Sequence, residues 1–192
     1  MGPSDWDAAS TETVEELEAI AALLLQRGQF QEAELAYRQL IERGSNNQVV
    51  YCNLGSILRV QGRTLDAVPW FEQALQLDPD SLGAHVALGL TFQECGDFAA
   101  AIASYTRALQ LDAQLDDVRF NLGVAHRQVG EMDAALACFT HLLKRYPTDP
   151  RLHLQQGSVH LQMASADAAI AAFQTALGLD PNDAVVMHHL AQ

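Results

Sequence analysis

The chain has 192 residues, 49% of them hydrophobic, enough apolar material for a substantial core and too much for a disordered segment. Its 24 acidic residues against 11 Lys and Arg give a formal net charge of -13, which argues against nucleic acid or an anionic membrane as partner, since both need clustered positive charge. Three cysteines, Cys52, Cys95 and Cys138, stand in no CxxC spacing, so they point to reduced thiols in a cytoplasm and not to a disulfide framework or a zinc site.

From the start of the chain, residues 1–13 form an acidic tail, small and polar apart from Trp6. Thr13 and Glu16 have capping-box spacing, the hydroxyl taking an amide at the helix start while the carboxylate reaches back, so a helix is predicted to begin at Val14. The apolar run Ala19–Leu25 is flanked by acids and too short to span a membrane, and nothing basic precedes it as in a signal peptide.

From Val14 the chain can be cut every 34 residues without an insertion: 14–47, 48–81, 82–115, 116–149 and 150–181, with 182–192 as a partial sixth first helix or cap. In 48–81, Tyr51, Leu54, Gly55 and Leu58 make one apolar stripe at helical spacing, and Ala67, Phe71, Ala74 and Leu75 make a second. Two helices joined near Gly62 are predicted for each segment. Position 8 carries Ala21, Gly55, Gly89, Gly123 and Gly157, and position 20 carries Ala33, Ala67, Ala101, Ala135 and Ala169, small residues where two helices approach. Bulk opposes them at position 24 (Tyr37, Phe71, Tyr105, Phe139, Phe173) and position 28 (Ile41, Leu75, Leu109, Leu143, Leu177). Position 15 is Gly28, Gly62, Gly96 and Gly130, fit for the left-handed end of a helix, and then Ala164, where a less sharp turn is expected. Pro79, Pro147 and Pro181 end second helices, Asp149-Pro150 reads as an N-cap followed by proline, and Pro69 predicts a local bend.

Small, aromatic, glycine and proline positions agreeing in register over residues 14–181 make the chain resemble a tetratricopeptide repeat array. That resemblance implies an all-α fold, a right-handed superhelical solenoid of antiparallel helix pairs whose stability comes from stacked neighbours. Position 4, usually a bulky aromatic, is Tyr51 once and Leu17, His85, Arg119 and His153 elsewhere; position 7 of the fifth segment is Gln156. The last segment, with Val185, Val186 and Leu190, is expected to be a partial cap or a cut through a longer protein. Exposed apolar ends would also permit weak self-association through terminal helices.

No GxSxG elbow, HExxH pair or phosphate-binding glycine loop occurs, so this segment is not expected to be an enzyme or to hold a cofactor or a metal. His85 and His153 share position 4, and His126 and His160 share position 11, where they read as packing rings. On the opposite side of each first helix lie positions 2, 5, 6, 9, 12 and 13, which the resemblance places on a concave groove for a protein or peptide. They supply Cys52, Asn53, Ser56, Arg59, Val86, Leu90, Gln93, Phe120, Asn121, Val124, Arg127, Arg151, Leu154, Gln155 and Ser158. Its apolar members suit an extended segment or an amphipathic partner helix. Arg59, Arg127 and Arg151, opposed mainly by Glu94 and Asp117, predict a mildly positive trough in an acidic body.

Asn53 and Asn121, both at position 6, carry donor and acceptor for a peptide main chain. They resemble the asparagine ladder of the repeat domain of O-linked N-acetylglucosamine transferases, broken here by Ala19, Ala87 and Gln155. The carboxylate-gripping pattern of chaperone adaptors matches at two of five positions (Val86, Leu90, Asn121, Arg151, Gln155), so a chaperone-tail receptor is not expected. The leading expectation is a cytoplasmic protein-interaction scaffold. The alternatives are a substrate-recruiting repeat domain of a larger glycosyltransferase-like enzyme and a self-assembling array.

Overall fold

The computed structural model describes residues 13–182 and 184–190. The acidic tail, apart from Thr13, lies outside them. Among the described residues there are eleven α-helices and no strand: α1 (Val14–Gln26), α2 (Phe30–Glu42), α3 (Gln48–Val60), α4 (Thr64–Leu77), α5 (Leu82–Glu94), α6 (Phe98–Leu111), α7 (Asp116–Gln128), α8 (Met132–Arg145), α9 (Pro150–Gln162), α10 (Ala166–Leu179) and α11 (Ala184–Leu190). The chain divides into two compact units, up to Thr91 and from Phe92, with the division inside α5. In the first, α1 to α4 each pack on the next; in the second, α6 to α11 do the same.

Local chemistry accounts for the helix ends. Thr13 Oγ1 accepts from Glu16 N (3.2 Å) and Glu16 Oε2 accepts from Thr13 N (2.9 Å), a complete capping box. Asp149 caps α9, its Oδ1 accepting from Arg151 N at 2.9 Å, with Pro150 at the first helical position. Gly28, Gly62, Gly96 and Gly130 adopt positive φ and close first helices with paired bonds, such as Gly62 N to Arg59 O and Arg63 N to Leu58 O. Ala164 departs from the expectation of a looser turn. Its φ is 57°, and Ala164 N to Leu161 O with Ser165 N to His160 O repeat the glycine pattern. Docking of α10 on α9 imposes the left-handed turn, and alanine bears the strain. α4 runs without interruption through Pro69.

In the hairpins of Gly55, Gly123 and Gly157 the small residue at position 8 meets the aromatic ring at position 24. A Cβ added at Gly55 would stand 2.8 Å from the Phe71 ring, and one at Gly157 would stand 2.5 Å from that of Phe173. The buried stripe of the first helices is wider than positions 4, 7, 8 and 11. It includes position 3 (Val50, Ala84, Val118, Leu152, Val186) and position 10 (Ile57, Thr91, Ala125, Val159). On the second helices the fully buried companion of position 24 is position 27 (Leu40, Ala74, Ala108, Leu142, Ala176), while position 28 is half-buried.

Position 4 is a donor site. Tyr51 OH donates to Ser45 O (3.1 Å), His85 Nε2 to Pro79 O (2.9 Å), Arg119 Nη2 to Ala113 O (2.8 Å) and His153 Nε2 to Pro147 O (2.9 Å). Each acceptor lies six residues earlier, in the linker ahead of the first helix, where proline or a turn leaves a carbonyl without a ladder partner. His85 and His153 are therefore linker clasps as well as packing rings. His126 Nδ1 instead pairs with Glu131 Oε2 at 2.6 Å.

Candidate functional site

On the first-helix face of the first unit several polar groups are engaged from within. Cys52, Asn53, Ser56, Arg59, Val86 and Leu90 are all half-buried. Asn53 Nδ2 donates to the Tyr37 hydroxyl at 2.9 Å, so one of its two amide N–H bonds is engaged on the neighbouring hairpin. Cys52 Sγ lies 3.5 Å from Gln48 Oε1, which also accepts from Ser81 Oγ at 3.0 Å. Burial pushes the Cys52 thiol up, so it stays protonated and unreactive at neutral pH. Burial raises Cys138 likewise.

In the second unit the apolar residues of this face serve the core. The Phe120 ring meets Phe139 edge-on at 5.8 Å, and Phe120 and Val124 pack against the cluster of Ala135, Phe139, Leu142, Leu152 and Val159. Leu154 packs against Ala169, Phe173, Ala176 and Val186. A long side chain at position 5 leans over the shoulder of its helix onto the partner helix, so the expected apolar floor is partly wall. Gln93 Oε1 accepts from the Tyr105 hydroxyl at 3.2 Å, and Ser158 Oγ donates to Leu154 O at 2.9 Å.

The three arginines read as a positive trough do not behave alike. Arg151 forks onto Asp149, with Nη2 at 2.8 Å and Nε at 3.1 Å, and its guanidinium lies 6.0 Å from the centre of the Phe120 ring. Those hydrogen bonds hold Asp149 below the usual carboxylate range and neutralise Arg151, which corrects the expectation that Arg151 adds net positive charge. The signal was local: an N-cap aspartate two residues before an arginine. Arg127, by contrast, is half-buried with its Nε shielded from water and without a partner, and burial pushes it below the ordinary guanidinium value. The Oε1 of Gln155 is likewise shielded and unpartnered, and Asn121 makes no side-chain hydrogen bond among the described residues.

A cleft of about 410 Å³ opens where the start of α7, the end of α8 and the start of α9 meet. Its lining comprises buried Leu142 and Leu152, half-buried Phe120 and Asn121, and Asp116, Asp117, Tyr146, Asp149 and Arg151. Asp116 Oδ2 accepts from Arg145 Nη1 and from the Tyr146 hydroxyl, both at 2.7 Å. Asp116, Tyr146 and Asp149 did not stand out in the period. Tyr146 sits at position 31, where Asp78, Asp112 and Asp180 instead accept from the backbone N–H two residues on. The first unit has a cleft of about 370 Å³ in the same register, lined by residues including Cys52, Asp78, Asp80 and Gly83. Among the described residues no three His, Cys, Asp or Glu side chains converge as metal ligands, and no helix is long and apolar enough to cross a membrane.

Models described as tetratricopeptide repeat match residues 19–81, 92–156 and 150–183, together most of the helical array. The chain belongs to the tetratricopeptide repeat family. Its architecture is a helical-hairpin solenoid, and solved tetratricopeptide repeat structures superpose on it. YrrB, described as a TPR protein with an unusual peptide-binding site, has a TM-score of 0.89 at 20% identity, over 95% of this chain and 94% of its own. A MamA protein has a TM-score of 0.80 at 24% identity, over 90% and 94%. MamA from Desulfovibrio magneticus RS-1 gives 0.80 at 16% identity, over 89% and 97%. Comparison with curated proteins gives no significant match. What these similarities establish for the tetratricopeptide repeat hairpins described above is the fold.

Proposed function

We propose that this tetratricopeptide repeat chain is a non-catalytic protein-interaction scaffold that holds an extended peptide or partner helix against the first-helix face of its second unit. The observation that carries this reading is the pair of shielded, unpartnered polar atoms on that face, Arg127 Nε and Gln155 Oε1. Both side chains are half-buried, so a peptide main chain can bring a carbonyl to the accessible edge of the guanidinium and an N–H to the glutamine amide as they turn toward it, relieving a cost of about 1–3 kcal/mol per unpartnered buried atom. Asn121 adds a donor and an acceptor, and half-buried Phe120, Val124 and Leu154 add apolar contact beside them. The peptide-binding site in the description of YrrB is a property of that protein and favours the same class of partner here.

The test is to select peptides from a display library on the full chain and measure the recovered sequences by fluorescence polarisation. Arg127→Glu should weaken them by about tenfold or more, because a charge-assisted hydrogen bond is replaced by a buried repulsion. Arg107→Glu, on exposed α6 surface, should leave them unchanged. Equal affinity of the Arg127→Glu protein and the parent would overturn the assignment of this face.

A further inference from the structure

Resting on that reading, we propose that the cleft at the starts of α7 and α9 receives a basic side chain, lysine or arginine, of the bound peptide. The first argument is charge. The lining presents the carboxylates of Asp116, Asp117 and Asp149 against the single guanidinium of Arg151. Arg151 is already forked onto Asp149, and Asp116 is held by Arg145 and Tyr146. Asp117 remains exposed with no hydrogen bond or ion pair among the described residues. With Asp116 and Asp149 matched by Arg145 and Arg151, the charge left over in the cleft is the carboxylate of Asp117, which disfavours an acidic side chain and attracts a cationic head.

The second argument is shape and polarity. The apolar depth of the cleft is small, because Leu142 and Leu152 are 3% and 2% exposed, so a purely aliphatic side chain gains little there. The stem of lysine or arginine lies along Phe120 while its head reaches Asp117, and the Oδ1 of Asn121 offers a further acceptor. The third argument is independent of the second unit. The cleft in the same register of the first unit is lined by Asp78 and Asp80, so carboxylates border the site in two places where no letter is shared. The preference expected of both clefts is therefore for basic residues.

The test uses the isotope-labelled full chain and three short Ser/Ala peptides that differ only in a central Arg, Glu or Leu, followed by NMR titration. The Arg peptide should shift the amide resonances of Asp117, Asn121 and Tyr146 saturably, and the Glu and Leu peptides should not. Asp117→Asn should weaken the Arg peptide by about fivefold, the value of one exposed charge pair, and Asp117→Glu should restore it. Asp117 is exposed in the first turn of its helix, so neither variant threatens the fold. Equal binding of the Glu or Leu peptide, or an Asp117→Asn protein that binds like the parent, would overturn the cleft assignment. Should that occur while display-selected peptides still depend on Arg127, the cleft alone fails and the scaffold reading stands.

Discussion

Replacing Gly157 by alanine tests the packing of position 8 against the aromatic ring at position 24. The new Cβ would stand 2.5 Å from Phe173 Cε1, 2.6 Å from Cδ1 and 3.0 Å from Cζ. Carbon atoms in contact prefer about 3.5–4.0 Å, so the ring or α9 itself must move by roughly 1 Å. The ring has nowhere to go: Phe173 is 2% exposed, with Ala169 and Ala176 at 2% and 0% beside it. Overpacking of this kind costs about 1–3 kcal/mol, while alanine in place of glycine inside a helix gains about 1 kcal/mol. The net expectation is a loss of about 0–2 kcal/mol. Gly178, in the facing α10, supplies the control, because a Cβ there meets nothing within 4 Å. Gly178→Ala should therefore stabilise by about 0.5–1 kcal/mol. Stacked repeats need not unfold as one unit, so urea midpoints should be read together with amide exchange in α9 and α10. Adding Phe173→Leu to Gly157→Ala should cost less than the two changes apart, since the smaller side chain frees the space that the methyl needs. If both glycine substitutions shift stability in the same direction by similar amounts, the close approach at position 8 is not what holds the hairpin.

Two further outcomes follow from single residues. Ala164→Gly should raise the melting midpoint by the equivalent of about 1 kcal/mol, because it removes the strain of an alanine at φ 57°; a fall would mean that the turn is not left-handed. Glu34 gives a pH dependence. Burial pushes its carboxyl up, but hydrogen bonds from Arg38, Arg63 and Gln61 outweigh that and hold it below its ordinary value. A carboxyl depressed in the fold contributes stability that is complete above the unfolded value of about 4.3 and is lost as pH falls through the depressed one. Glu34→Gln should thus lower the urea midpoint at pH 7, by at most about 1 kcal/mol since both arginine side chains are more than a third exposed, and the difference should fade as pH falls through the depressed value. A difference that persists in acid would place the loss in packing and not in charge.

The hairpins were legible because their determinants are packing letters that must recur at 34-residue spacing: glycine or alanine at position 8, alanine at 20, an aromatic ring at 24. Position 4 shows the limit of reading by residue class. Tyr51, His85, Arg119 and His153 look like a lapsed aromatic position, yet all four donate to the carbonyl six residues earlier, and the property that recurs is a donor at the end of a reaching side chain. Ala164 shows a second limit: the left-handed turn is demanded by the two helices it joins, so a residue ill-suited to it adopts it anyway. The first-helix face is harder still, because period imposes nothing on it and each side chain there is decided by one neighbour. Arg151 and Arg127 read alike along the chain; the first is claimed by Asp149 two residues before it, and the second makes no ion pair among the described residues. Asn53 has one N–H engaged by Tyr37, whereas Asn121 makes no side-chain hydrogen bond among the described residues. What a partner can use is the set of groups the fold has left without an answer, and in the second unit that set gathers on α7 and α9.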